Sequence, residues 1–340
     1  MKILVTGGAG YIGSHTVVEL LNQGHDVVVV DDFRNSNKQV IKNIESITHK
    51  EVTLYEEDCN KKEKLDTIFK QEQPNGVIHF AAYKAVGESV EQPLKYYRNN
   101  IVSLINVLEC MESYNTKNIV FSSSCTVYGN PDESIVTENT SIKEAESPYG
   151  YTKQVAERIL IDFQKSSSNK NVSILRYFNP IGAHPSGKLG ELPIGTPNNL
   201  VPFITQTAIG KRKELTIFGD NYPTKDGTCI RDYIHVVDLA NAHIKALERL
   251  ESKENCIDIF NIGTGTGSSV LEVVKTFEKV NNTPLNYRFG NKRKGDVISI
   301  FANSDKAQRK LKWKPKYGLE EALKHAWKWE KNINSNNNYV

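Results

Sequence analysis

The sequence predicts an α/β fold: a doubly wound parallel sheet followed by a smaller C-terminal lobe. Three observations carry this. The apolar run Ile3-Leu4-Val5 leads straight into glycines at 7, 8, 10 and 13, and these into an amphipathic helix from Ile12 to Leu21. Strand-like and helix-like stretches then alternate as far as Tyr177. From Asn179 the texture changes, with prolines at 180, 185, 193 and 197 among glycines at 182, 187, 190 and 195.

The first strand shows no polar alternation, as a strand covered on both faces should not. Glycine lets the following turn adopt positive φ and lets the backbone approach a pyrophosphate closely, while the helix N-terminus offers free N–H groups to that anion. This is a Rossmann-type dinucleotide turn. A second strand, Asp26 to Val30, ends at Asp31, near the ~20-residue offset at which a carboxylate meets the adenosine ribose hydroxyls. A carboxylate there favours NAD over NADP, although Arg34 close by weakens that preference.

A helix is expected from about Lys38 to Ile47 and a strand from Glu51 to Tyr55, ending at Asp58. Next come a helix from Asn60, as its cap, to Gln71 and a strand from Gly76 to Ala81. A long helix from Tyr96 to Tyr114, a strand from Asn118 to Ser122, a helix from Pro148 to Phe163 and a strand from Val172 to Tyr177 complete a first domain, 1–178. Residues 179–331 read as loops and short elements of the second lobe, with some return of the chain to the first domain. The asparagine-rich stretch 332–340 is expected to be disordered. A second glycine run, Asn261 to Gly267, reads as a turn before a helix capped by Ser268 or Ser269, because no acidic residue after a further strand answers it.

Bulk composition excludes several classes. The net charge is +3 on 340 residues, so nothing points to nucleic acid; the runs Lys211-Arg212-Lys213 and Lys292-Arg293-Lys294 read as solvated faces. Five cysteines, scattered and without metal-ligand spacing, suggest reduced thiols, a cytoplasmic protein and no metal site. The first strand begins at once, with no room for a signal peptide, and no apolar run approaches the ~18 residues of a membrane span.

Chemistry concentrates in Tyr149-Gly-Tyr-Thr-Lys153, which puts a tyrosine and a lysine one helical turn apart on one face. Ser124, just past the fifth strand, should face the same cleft, because ligands of such sheets bind at the carboxyl ends of the strands. Lowering a tyrosine from about 10 to about 7 requires roughly 4 kcal/mol of phenolate stabilisation, part of which a nearby ammonium and an oxidised nicotinamide can provide.

These residues, with SSSCTVYG (122–129), RYFNPIGAHPSG (176–187), RDYIHVVDLA (231–240) and KAVGESV (84–90), resemble the extended short-chain dehydrogenase/reductase superfamily. Within it they most resemble the UDP-glucose 4-epimerase (UDP-galactose 4-epimerase) family, from Met1 to about Trp329. The resemblance implies reversible 4-epimerisation of UDP-glucose and UDP-galactose through a transient 4-keto sugar, in galactose metabolism, with NAD kept bound. Tyr149 would be the base, Ser124 its partner, and Lys153 would lower the tyrosine pKa and hold the nicotinamide ribose. Gly7, Gly10, Tyr11, Ile12 and Gly13 would meet the cofactor pyrophosphate, and Asp31 the ribose. Asp58 and Cys59 would lie at adenine. Asp32, Phe33, Asn35, Ser36, Phe80, Ala81, Ala82, Lys84, Asn99 and Phe178 would complete the NAD site. Asn179, Asn199, Leu200, Phe218, Arg231, Arg293 and Asp296 would hold the UDP-sugar. Ile300 would wall the pocket near sugar C2, where its intermediate size leaves N-acetylated sugars open. A homodimer through the helices 96–114 and 148–163 is also implied.

Other readings compete. Sugar dehydratases of this superfamily carry Asp-Glu just before VYG, where this chain has Cys125 and Thr126, and neither is a carboxylate acid. A UDP-N-acetylglucosamine epimerase, a UDP-glucuronate epimerase or decarboxylase, and a non-catalytic NAD-sensing protein remain open.

Overall fold

The computed structural model describes residues 1–167, 169–293 and 296–335. In chain order the first half contains β1 (Lys2–Thr6), α1 (Tyr11–Asn22), β2 (Asp26–Val30), α2 (Gln39–Thr48), β3 (Thr53–Tyr55), α3 (Lys62–Glu72) and β4 (Gly76–His79). It continues with α4 (Val86–Glu91), α5 (Pro93–Ser113), β5 (Asn118–Ser122), β6 (Ile135–Val136), α6 (Pro148–Lys165) and β7 (Asn171–Tyr177). Next come β8 (Asn179–Ile181), α7 (Leu200–Ala208), β9 (Leu215–Phe218), β10 (Ile230–His235), α8 (Val236–Glu251) and β11 (Ile257–Ile262). The last elements are β12 (Gly267–Ser269), α9 (Val270–Asn281), β13 (Tyr287–Gly290), β14 (Ser299–Ala302), α10 (Asp305–Leu311) and α11 (Leu319–Ser335).

Seven strands in the order β11-β7-β5-β4-β1-β2-β3 form one parallel sheet. Successive side chains of β1 point to opposite faces, and both faces are buried. Ile3 and Val5 join a core with Val17 and Leu20 of α1 and Ala246 and Leu247 of α8. Leu4 joins the other, with Leu65 of α3, Leu104 of α5 and Leu160 of α6. That two-sided burial explains the uninterrupted apolar strand. The strand order reverses between β1 and β4, so the crevice at their carboxyl ends is the topological switch point where ligands sit in such sheets.

The second lobe is more regular than expected. β10 pairs with β8 and β14 in parallel and with β12 antiparallel, and β6 from the first half closes that sheet beside β14. β9 and β13 form a separate parallel pair. The return of the chain to the first domain runs over 236–262, through a helix of 16 residues and a strand of 6 in place of the loops and short elements expected there. There α8 packs against α1, β5 and β7, and β11 adds the edge strand to the large sheet. Pro/Gly density described the stretch before residue 200 only; Val236, Leu239, Ala240, His243, Ile244 and Leu247 make one apolar face at helical spacing.

Three local differences have clear causes. The helix expected from Asn60 starts at Lys62, because the Asn60 amide instead donates to Asp58 at 2.8 Å and to Asn99 at 3.0 Å. The long helix begins earlier, at Pro93, since proline suits a first helical position. The tail is helical to Ser335: Ile333 is buried beside Trp329 and Ala183, and the Asn332 amide donates to the Gly187 carbonyl at 2.8 Å. Lys294 and the tail residues 336–340 lie outside the described residues.

The second glycine run serves the protein's own anion. The N–H groups of Thr264 and Gly265 donate to the Asp232 carboxylate at 2.8 and 3.0 Å, with Ala302 N–H at 3.2 Å. A Cβ at 263 would lie 2.4 Å from that carboxylate, which is why glycine stands there. Ser269 then caps α9 in a capping box with Glu272.

Candidate active site at the carboxyl edge of the sheet

The glycine turn after β1 is shaped by contact. Gly7 has φ 67°, and a Cβ there would lie 2.8 Å from Ala81 N in the loop after β4. A Cβ at 13 would lie 2.2 Å from the Gly7 carbonyl oxygen. Ser14 N–H is the first to bond back into α1, to Gly10 O at 2.8 Å. The N–H groups of Tyr11, Ile12 and Gly13 are therefore the first-turn donors without a helical partner, as an anion site at a helix N-terminus requires.

Asp31 closes the cradle from β2. Its carboxylate accepts from Ala9 N–H at 2.9 Å, Phe33 N–H at 2.9 Å and the Ser36 hydroxyl at 2.8 Å, and burial raises its pKa against those bonds. A carboxylate has about four acceptor positions, so one stays open to a ribose hydroxyl. Arg34 is committed elsewhere: its guanidinium meets Asp32 and Asp58 and donates to the Tyr83 hydroxyl at 3.1 Å. Two carboxylates thus neutralise a guanidinium that could have drawn a 2′-phosphate. Asn35 is exposed on the same loop, and Cys59 is buried with its carbonyl taking the Asn106 amide. Phe80, Ala81 and Ala82 follow β4, and the Phe80 ring packs on His243. Asn99 donates to Asn100, whose buried side chain ties Tyr83 to Thr152 of α6. Asn100 had no signal in the sequence beyond its helical position. The cradle, the free N–H groups and Asp31 fit a dinucleotide such as NAD.

Tyr149 and Lys153 lie on α6, which Ser147 caps and Pro148 starts. Both side chains are buried, Tyr149 at 6% and Lys153 at 5% exposure. Burial holds the phenol well above its usual range; nearby Tyr177 adds to that, and a hydrogen bond with Ser124 opposes it. The Lys153 ammonium donates to Ser122 O at 2.7 Å and stands 6.0 Å from the Tyr149 ring centre. Burial pulls its pKa down to about 8, with Glu157 opposing. Lys153 is thus pinned to a backbone carbonyl and not to the tyrosine. Ser124 caps the short turn that follows β5, accepting from Thr126 N–H at 3.2 Å.

Beneath these residues runs a buried ionic network that the sequence did not signal. Glu157, one turn beyond Lys153, takes Arg176 Nη2 at 2.7 Å and Nε at 3.0 Å, and Ser123 Oγ at 2.6 Å. Arg176 Nη1 reaches the Tyr128 hydroxyl at 3.2 Å, which donates to Asn261 at 2.6 Å.

The second lobe gathers several of its expected residues into one cluster. Asp296 lies 3.3 Å from Arg293 and 3.8 Å from Arg231. The Arg293 guanidinium sits 4.7 Å over the Phe218 ring, which is 41% exposed. An aromatic face beside two guanidinium groups suits a base and a diphosphate. Arg231 and Ile300 are register partners in β10 and β14. Ile300 packs with Val127, Tyr128 and Phe178, so β14 touches the turn after β5. Asn179 opens β8 opposite Tyr233, while Asn199 and Leu200 start α7. Burial pushes the Cys125 thiol up to about 12, a poor acid where a dehydratase has a carboxylate.

A family model described as GDP-mannose 4,6 dehydratase matches residues 4–326. The UDP-glucose 4-epimerase of Bacillus subtilis (strain 168) is 52% identical over 335 residues, 98% of either chain. The chain belongs to the UDP-glucose 4-epimerase family. A plant member, UDP-glucose 4-epimerase 2 of Arabidopsis thaliana, is 48% identical over 97% of this chain and 95% of its own. Two family structures superpose closely. The epimerase of Stenotrophomonas maltophila, with bound NAD and formylated UDP-arabinopyranose, has a TM-score of 0.96 at 43% identity, covering 98% of this chain and 99% of its own. That of Bifidobacterium longum, in complex with NAD+ and UDP, has a TM-score of 0.94 at 43% identity, covering 98% of each.

Proposed function

We propose that the protein interconverts UDP-glucose and UDP-galactose by inverting C4 of the hexose, with NAD held throughout and Tyr149 as the base, in galactose metabolism. What supports this is buried Tyr149 paired with Ser124, whose turn packs against Ile300, the register partner of Arg231. Tyr149 Oη accepts the proton of the sugar 4-hydroxyl, and Ser124 Oγ orients that oxygen. NAD, when bound, supplies the hydride acceptor and donor and a positive charge beside the phenol. Arg231 and Arg293 hold the diphosphate while the 4-keto hexose turns about it. With the hydride that NAD would carry going back to the other face of C4, the same Oη returns the proton to the oxygen, so C4 is inverted with no net oxidation. Burial excludes water from Tyr149, which strengthens each of these electrostatic contacts.

The test uses purified protein without added cofactor, given UDP-galactose and followed by the anomeric proton signals. An equilibrium mixture with UDP-glucose is expected; none, even with NAD added, would reject the reading. Run in parallel, UDP-N-acetylglucosamine is expected to turn over weakly. Ile300 makes the wall beside the catalytic turn aliphatic, with neither the bulk of tyrosine nor the space of a small residue. Equal kcat/KM on both sugars, or none on the N-acetyl sugar, would reject that. UDP-glucuronate is expected to be inert.

The chain is also proposed to pair with a second copy through α5 and α6. These helices pack on each other yet leave Val102, Ile105 and Tyr151 exposed, and the Tyr97 and Tyr151 rings meet edge-on at 6.2 Å. Light scattering at the mass of one chain would reject this. Five free cysteines suit a cytoplasmic setting, and no described helix is long and apolar enough to cross a membrane.

A further inference from the structure

Lys84 and Asn199 come from opposite sides of the cleft. Lys84 lies just before α4, in the loop region after β4, with its ammonium 5.9 Å from the centre of the Tyr11 ring in the glycine turn. Asn199 is the residue before α7 in the second lobe. One carboxylate oxygen joins them: Glu191 Oε1 accepts from Lys84 Nζ at 3.1 Å and from Asn199 Nδ2 at 2.6 Å. The Glu191 side chain is 12% exposed, whereas that of Lys84 is 46% exposed, so the acid is the fixed member and the lysine is drawn to it.

The backbone around Glu191 is braced. Trp329 Nε1 of α11 donates to the Glu191 carbonyl at 2.9 Å. Gly190 lies flat on the same indole, where a Cβ would stand 2.4 Å from the ring. Gly190 also bridges to Ala183. A loop in a Pro/Gly-rich stretch thus receives, from the last helix, a rigid support for one acid side chain. An exposed surface ion pair would need no such support and would contribute little.

We propose that Glu191 is a positioning residue for the epimerisation: by holding Lys84 and Asn199 on one carboxylate oxygen it fixes the cofactor-side loop against the sugar-nucleotide lobe, and so sets the placement of the hexose before Tyr149. The proposal rests on the epimerase reading above. It requires Glu191 to act through Lys84 and Asn199, not through the stability of the fold.

The experiment is steady-state kinetics on UDP-galactose with the holoprotein and its Glu191→Ala, Glu191→Gln, Lys84→Met and Glu191→Ala/Lys84→Met variants. Rates are expressed per bound NAD, with melting midpoints measured alongside. Glu191→Ala is expected to lower kcat/KM at least tenfold at an unchanged midpoint and NAD content. Glu191→Gln, which keeps an acceptor oxygen but loses the charge, falls between it and wild type. The double variant is expected to be no worse than the poorer single variant. Unchanged kinetics at Glu191, additive losses in the double variant, or a loss that disappears per bound NAD would each overturn the proposal. A wild type that fails to interconvert the two sugars overturns the epimerase reading and this proposal together. A normal wild type with unaffected Glu191 variants overturns this proposal alone.

Discussion

Tyr149→Phe is expected to lower kcat for UDP-galactose by about 10²–10⁴-fold, the usual contribution of a general acid–base group. Phenylalanine fills the same buried volume, so NAD content and UDP affinity should stay near wild type. Only the hydroxyl bonded to Ser124 is lost. The loss should fall on kcat, because the proton moves only as the C–H bond breaks. Following UDP-glucose formation by the anomeric protons, with NAD read by absorbance, separates the two effects. A normal rate would show that another group is the base. In the protein as described, burial keeps this phenol protonated and Lys153 bonds to Ser122 O. Under the proposed mechanism the positive charge of NAD would complete the base, and a turnover rate that rises with NAD occupancy is the expected result.

Arg176→Met should destabilise the protein by about 3–5 kcal/mol, the cost of leaving a buried partner charge alone. Arg176 and Glu157 are each 3% exposed, so water cannot replace the missing guanidinium. Glu157 would lose its bonds from Nε and Nη2, and Tyr128 its bond from Nη1. The network touches Ser123, next to Ser124, and α6 one turn past Lys153, so catalysis should fall with stability. A thermal midpoint within a degree of wild type would show that solvent reaches this site. Exchanging both partners for apolar residues of similar volume should restore much of the loss, because the penalty lies in the orphaned charge.

The dinucleotide half was legible because its signals are local. A glycine turn has steric demands that only neighbouring residues meet, and a two-faced strand must be apolar throughout. Tyr149 and Lys153 could be paired from helical spacing alone. Phe218, Arg231, Arg293 and Asp296 could be named only by resemblance, since no spacing relates residues on separate strands.

The sequence by itself determined the parallel sheet, the cradle for a dinucleotide and the pair on α6. Each follows from the periodicity of one element and the chemistry of a few adjacent residues. The tertiary structure alone decided that Arg34 is held by Asp32 and Asp58, that β11 is the strand returning to the first sheet, that Glu157 and Arg176 underlie the turn after β5, and that Glu191 joins Lys84 to Asn199. Those contacts link residues far apart in the chain. A buried charge or an edge strand finds its partner only when the core brings distant segments together, and no local pattern records which segments those are.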